Sequence, residues 1–137
     1  METLYKNDDE SLSLSYDEQN NCFEQKLMGN ISDQDYKKIN KKLEWFISEK
    51  KCYKVIYNIK DLERSDIASR AWHSSVFMPK LVGKHQGGLI TAVINSSHAF
   101  EEKQNTLLFN KLKMINRNGE IRFFESNDDA KDWIKKA

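Results

Sequence analysis

Proline occurs once in this chain, at Pro79, and glycine five times, so the 137 residues hold no flexible linker and a single domain is expected. Cysteine is nearly as scarce. Cys22 and Cys52 stand alone, without CxxC or CxxH spacing, and read as reduced thiols rather than a disulfide frame or a zinc site. An excess of one charge is missing too. Basic residues number 22 and acidic residues 21, a net charge of +1, so no overall field points to nucleic acid or an anionic membrane. Long apolar runs are absent: the longest, Leu89–Ile94, is far short of the roughly 20 residues of a membrane-spanning helix, and no membrane insertion is expected. The opening METLYKNDDE has neither a basic n-region nor an apolar h-region. No signal peptide is expected, and the expected compartment is the cytoplasm.

What is present is periodicity. Residues 1–10 are polar with isolated apolar positions and read as a flexible N-terminal arm, leaving 11–137 as the domain. Leu12, Leu14 and Tyr16 alternate with serines as a half-buried strand does, and Cys22–Met28 reads as its hairpin partner. Ser32 with Asp35 resembles a capping box, and Ile31 and Tyr36 stand where a hydrophobic staple would. Tyr36, Ile39, Leu43, Phe46 and Ile47 then fall at helical spacing, predicting a helix to about Lys50. Val55-Ile56-Tyr57 and Ile59 form a β-rich run, followed by a polar loop and a helical pattern from near Ser65. Val82–Gly88 is a breaker region. Leu89–Ile94 lacks polar alternation, as a strand covered on both faces does. Asn95-Ser96-Ser97 offers caps for a third helix, whose stripe would be Phe100, Leu107, Leu108, Leu112 and Ile115, with a break near Gln104-Asn105. Arg117-Asn118-Gly119 stops it, Ile121–Glu125 is a last strand, and Ser126 with Asp129 caps a helix carrying Ala130, Trp133 and Ile134. The order is β-β-α-β-α-β-α-β-α. Right-handed crossovers make the last four strands parallel, with the first antiparallel at an edge: an α/β fold with a mainly parallel sheet.

No reactive constellation accompanies this order. His73, His85 and His98 lie in separate segments without metal-ligand spacing, so no metal site is expected. His73 reads as a surface or packing residue and His85 as solvated. Neither a phosphate loop nor GxGxxG nor GxSxG occurs, and Asp61, Glu63 and Asp66 read as loop charges rather than an acid/base pair. Trp72, Phe77, Phe100, Phe109 and Trp133 read as core, and lysines and arginines spread over every element argue against nucleic acid. No catalytic residue and no cofactor is expected.

A hairpin leading into βα units, in about this length, resembles the STAS domain fold of the bacterial anti-sigma factor antagonists. The segments YNIKDL, AWHSSVFMPKL, GLITAVI and IRFFESNDDAKDWI are similar to the STAS-like proteins called SpoIIAA-like, the uncharacterised bacteroidetes-type members. The resemblance runs from about Leu12 to the C-terminus and rests on packing motifs. It implies a STAS/SpoIIAA-like fold and a non-enzymatic regulatory or interaction module whose protein partner is unknown. In the antagonists, an Asp-Ser pair opens the helix after the central strand, and its serine is phosphorylated. Laid over this chain from Asn58, the aspartate falls on Asp66 and the serine position on Ile67, which takes no phosphate. Ala68-Ser69-Arg70 replaces the small-glycine continuation, and Ser65 reads as a plain helix N-cap.

In an open α/β sheet, ligands and partners gather at the C-terminal ends of the strands. The candidate ligand or partner residues are therefore Asn58, Asp61, Ser65, Asp66, Asn95, Ser96 and Ser126, with Trp72 as a wall. The alternative to a protein-interaction module is a binder of a small apolar or anionic ligand there, with helix N-termini favouring an anion. A homodimer through the Trp72–Leu81 helix or an edge strand Leu12–Tyr16 is also expected.

Overall fold

The computed structural model describes residues 1–137. It opens with strands β1 (Glu2–Lys6), β2 (Leu12–Asp17), β3 (Cys22–Leu27) and β4 (Gly29–Ile31), then helix α1 (Asp33–Lys50). Strands β5 (Lys54–Asn58) and β6 (Leu62–Ser65) lead into α2 (Ile67–Trp72), a π-helical turn (His73–Phe77) and α3 (Met78–Lys84). The chain closes with β7 (Ile90–Ile94), α4 (Ala99–Ile115), β8 (Glu120–Phe124) and α5 (Asn127–Lys136).

Six strands form the main sheet in the order β1-β2-β3-β5-β7-β8, while β4 and β6 make a separate two-stranded one. The first two pairings are antiparallel and the four strands from β3 to β8 run parallel, as the crossover rule predicts. Leu12, Leu14, Phe23, Val55, Tyr57, Val93 and Ile121 project to one face, into a core closed by α1, the α2–α3 segment and α4. Cys22, Ile56, Ala92 and Ile94 project to the other, where Ala130 and Ile134 of α5 cover them. That double cover is why β7 shows no polar alternation.

Caps set the best-marked helices. Ser32 accepts the amide of Asp35 at 3.2 Å, and Ser126 accepts that of Asp129 at 3.2 Å. Ile31 and Tyr36 are both buried, as a staple requires. Helix α1 ends at Lys51, which adopts the left-handed conformation.

Several expectations need correction. The first ten residues are not a loose arm, because Glu2–Lys6 pairs with β2 across a bulge between Thr3 and Tyr5. The edge of the sheet is thus β1, and Leu12–Tyr16 is an interior strand unavailable for edge pairing. Helix α4 runs without a break through Gln104-Asn105. Its N-cap residue is His98 rather than one of Asn95–Ser97. Helix α3 extends to Lys84, so the breaker region shrinks to the turn before β7. There Asn116 accepts the Leu89 amide at 2.9 Å and donates to the Leu89 carbonyl at 2.8 Å, standing in for a strand neighbour.

The helix after the central strand is also not uniform. Pro79 has no N–H to give the carbonyl four residues back, and an ordinary α-helical register would place its ring against that carbonyl. The chain widens just before it. The amide of Met78 reaches back five residues to the carbonyl of His73, and the π-turn absorbs the mismatch.

Candidate functional site

The residues that follow the central strand do not cap a helix; they build a buried lock. Ser65 is the last residue of β6, and Asp66, not Ser65, is the N-cap residue of α2, with no side-chain capping bond. Ser65 turns inward instead. Its amide donates to Glu101 Oε1 at 2.9 Å and its hydroxyl to Glu101 Oε2 at 2.7 Å. Asn105 Nδ2 donates to Glu101 Oε2 at 2.9 Å, and Arg70 Nη1 lies 3.9 Å from Glu101 Oε1. Arg70 also donates to the Ser65 carbonyl at 2.9 Å and to its hydroxyl at 2.8 Å. Glu101 is 1% exposed, and a carboxylate so far from water requires this many donors. The lock joins β6, α2 and α4 into one rigid corner.

Above the lock, three large apolar side chains stand outward among polar ones. Helix α4 buries Glu101, Asn105, Leu108, Phe109 and Leu112 and turns Phe100 and Leu107 outward. Phe100 is 71% exposed, Leu107 66% and Ile67, at the start of α2, 78%. The reading of Phe100 and Leu107 as core is therefore corrected. A first helical turn with its glutamate inside and its phenylalanine outside inverts the usual preference, and only the lock makes the inside position tolerable. Ile67, Arg70 and Gln104 line two adjoining hollows, the larger of about 770 Å³ flanked by Glu63, Asp66 and Phe100 and the smaller of about 210 Å³ flanked by Ala71 and Leu107. Together they form one shallow groove between α2 and α4.

The other predicted residues form two clusters, with Asp61 and Trp72 standing apart from both. Asn58 donates to Glu24 Oε2 at 3.2 Å, and Asn127 donates to the same oxygen at 3.0 Å, so Asn58 and the Ser126 cap share a polar cluster beside α5. Ser96 is buried and donates to the Leu62 carbonyl at 2.6 Å, while Asn95 accepts the Ser96 amide at 2.7 Å and reaches Thr106 at 3.1 Å. These contacts brace the loop ahead of α4. Asp61 is exposed, and its carbonyl accepts from Gly29. Trp72 walls neither hollow: it lies half-buried, with its ring 5.2 Å from that of Phe77. Ser65 and Asp66 are thus the predicted residues that meet at the groove. Sequence reasoning missed Glu101, Arg70, Asn105 and Gln104, since a Ser–Glu pair 36 residues apart leaves no local pattern.

Behind the π-turn, a second polar group lies in the core. The Tyr36 hydroxyl and His73 Nδ1 are 2.5 Å apart, and His73 is 1% exposed, which fits the packing reading. Burial holds the His73 ring neutral, lowering its pKa to about 3, and raises the Tyr36 and Tyr57 hydroxyls above the usual tyrosine range. His85 is not fully solvated, for its Nε2 is buried and its ring lies 5.0 Å from that of Tyr53. No group of three or more His, Cys, Asp or Glu side chains is gathered as a metal site. No helix is long and apolar enough to cross a membrane.

A mixed sheet with a parallel core, layered by helices and carrying its groove beside the turn after the central strand, defines a SpoIIAA-like α/β fold. The SpoIIAA-like family model matches residues 23–135, and the chain belongs to that family. Its structure is similar to the crystal structure of an uncharacterised protein of the DUF3478 family with a SpoIIAA-like fold from Shewanella loihica PV-4. The TM-score is 0.53 and the identity 20%, with 90% of this chain and 91% of that one covered. No curated protein matches the chain.

Proposed function

We propose that the chain is a non-enzymatic interaction module that receives an apolar segment of a protein partner in the α2–α4 groove. The observation that carries this reading is the inversion at α4, with Glu101 inside and Phe100 and Leu107 outside beside exposed Ile67. Apolar side chains held outward by a buried polar lock resemble the desolvated centre of an interface, and Arg70, Gln104 and Asp66 supply a polar rim. Membership of the SpoIIAA-like family supports a regulatory or interaction role in general terms. Asn58, Asn95 and Ser96 of the alternative small-ligand site already spend their side chains on hydrogen bonds within the fold, which favours the groove over that reading.

A second copy of the chain is one partner of suitable chemistry, through the groove face rather than through Leu12–Tyr16. The module is taken to work in the cytoplasm, which fractionation of host cells tests. The central experiment places a photocrosslinker at Leu107, identifies the captured partner, and reconstitutes the pair from purified proteins. Ile67→Glu is expected to weaken that pair at least tenfold while the melting temperature stays unchanged. Unchanged affinity removes the groove as the interface, and a turnover abolished by one loop substitution removes the non-enzymatic reading.

A further inference from the structure

A net charge of +1 conceals a strongly uneven surface. Helix α1 buries Tyr36, Ile39, Asn40, Leu43 and Ile47. At 100° per residue, the positions directly opposite that stripe are Gln34, Lys38, Lys41 and Trp45, with Lys37 and Lys42 on the flanks. These side chains border one shallow depression of about 740 Å³. Nearby acids neutralise one flank and leave Lys38, Lys41 and Lys42 without an ion-pair partner. Asp33 is engaged by Lys37 at 2.9 Å, and Glu44 faces Lys80 at 3.5 Å and Lys84 at 3.7 Å. Asp35 lies half-buried on the Lys42 flank in the first turn, and Glu49 stands outward one turn beyond Trp45. Lys42 and Lys38 sit 4.8 Å and 5.6 Å from the centre of the Tyr5 ring, so β1 shapes this face as well.

At the centre of the lysines stands an exposed tryptophan. Trp45 is 58% exposed and propped edge-on against Phe46, ring centres 4.9 Å apart. No partner within the chain covers it. We propose that this face of α1 docks the protein on an anionic phospholipid surface, with Trp45 seated at the headgroup level and Lys38, Lys41 and Lys42 against the lipid phosphates. The chemistry favours a bilayer over a folded acidic partner or a nucleic acid. The cations are all lysines, flexible point charges suited to a diffuse anionic plane rather than to bidentate recognition of a single carboxylate. A lone indole on a convex helix offers one stacking platform, where a nucleic-acid groove needs a succession of them. Tryptophan favours the membrane interface, and a lysine cluster beside it supplies the attraction to anionic headgroups. The attachment is peripheral.

The test is co-sedimentation of the full chain with vesicles of phosphatidylcholine alone and of phosphatidylcholine mixed with phosphatidylglycerol. Binding is expected to the mixed vesicles only, and to fall as salt is raised. The double variant Lys38→Glu/Lys41→Glu is expected to lose more than roughly 25-fold in partitioning, since removing each lysine costs about fivefold and each new carboxylate adds repulsion. Lys38→Gln/Lys41→Gln, which adds no acid to the helix, should show a smaller loss of the same kind. Trp45→Ala is expected to bind several-fold more weakly and to lose the blue shift of emission that vesicles induce in the wild type. Equal binding to neutral vesicles, no binding to mixed vesicles at low salt, or undiminished binding by both lysine variants would overturn the proposal. So would a preference for single-stranded oligonucleotide over the mixed vesicles.

Discussion

Ser65 shows how much one side chain's direction decides. As a cap it would satisfy a single helix amide; as found, it gives two hydrogen bonds to a carboxylate that has almost no access to water. Replacing it with alanine removes the hydroxyl while Glu101 stays buried, and the expected cost is about 1–3 kcal/mol in urea unfolding. A loss below that range would mean that water replaces the hydroxyl at the lock. Why the sequence misled is clear at this position. Ser65-Asp66 before an amphipathic run satisfies the pattern of a helix start, and nothing within several residues announces a glutamate on a later helix. His73 makes a prediction of a different kind. Above about pH 6.5 the ring is neutral in folded and unfolded chains alike, and its burial leaves stability independent of pH. As pH falls from there towards 3, the unfolded chain takes up a proton that the folded one refuses. Stability should fall by up to about 1.4 kcal/mol per pH unit across that window. The carboxyls of Asp17 and Asp33, held below their ordinary range by the fold, add a loss of the same sign only below about pH 5. Denaturation between about pH 6.5 and 4.5 should therefore show this slope in the wild type and a flatter one in His73→Phe.

At the scale of elements, legibility followed burial. The period-two run of β2, the capped stripe of α1 and the doubly covered β7 were readable because core contacts impose periodicity on the residues that make them. The elements that were missed carry little such pressure. Strand β1 buries none of its residues fully, β4 spans Gly29–Ile31, and β6 is Leu-Glu-Arg-Ser with two exposed charges in its middle. The π-turn was invisible for another reason: it answers to Pro79, and a single proline marks a disturbance without saying how the backbone resolves it. Strand β1 has a measurable role. It closes the edge of β2, and Leu4 and Tyr5 pack on the main core. A chain beginning at Asn7 is expected to self-associate, because β2 then presents unpaired backbone groups. Light scattering over a concentration series should show larger species for the shortened chain than for the full one; equal masses would return β1 to the status of an ornament.

On the scale of the molecule, the two sides of the sheet are unequal. Four helical segments layer one face, whereas α5 alone covers the other, anchored by Ala130 and Ile134 over Cys22, Ile56, Ala92 and Ile94. The groove and the lysine face both belong to the thicker layer, on α2, α4 and α1. Family membership and topology were open to sequence reasoning because they rest on the order and spacing of buried runs. The groove was not, because it depends on which side the first turn of α4 presents, and there the Ser65–Glu101 contact turns Glu101 in and Phe100 out.

The single cover on the thin side turns Cys22 into a clock. Burial pushes its thiol up to about 12, so the folded chain offers almost no thiolate to a labelling reagent. Labelling must wait for α5 to swing away, an event smaller than global unfolding if that helix is a separate cooperative unit. The rate of Cys22 modification, read by mass spectrometry in a Cys52→Ser background, would then exceed the global unfolding rate and rise further in Ile134→Ala. Identical rates for labelling and global unfolding would show that helix and sheet part only together.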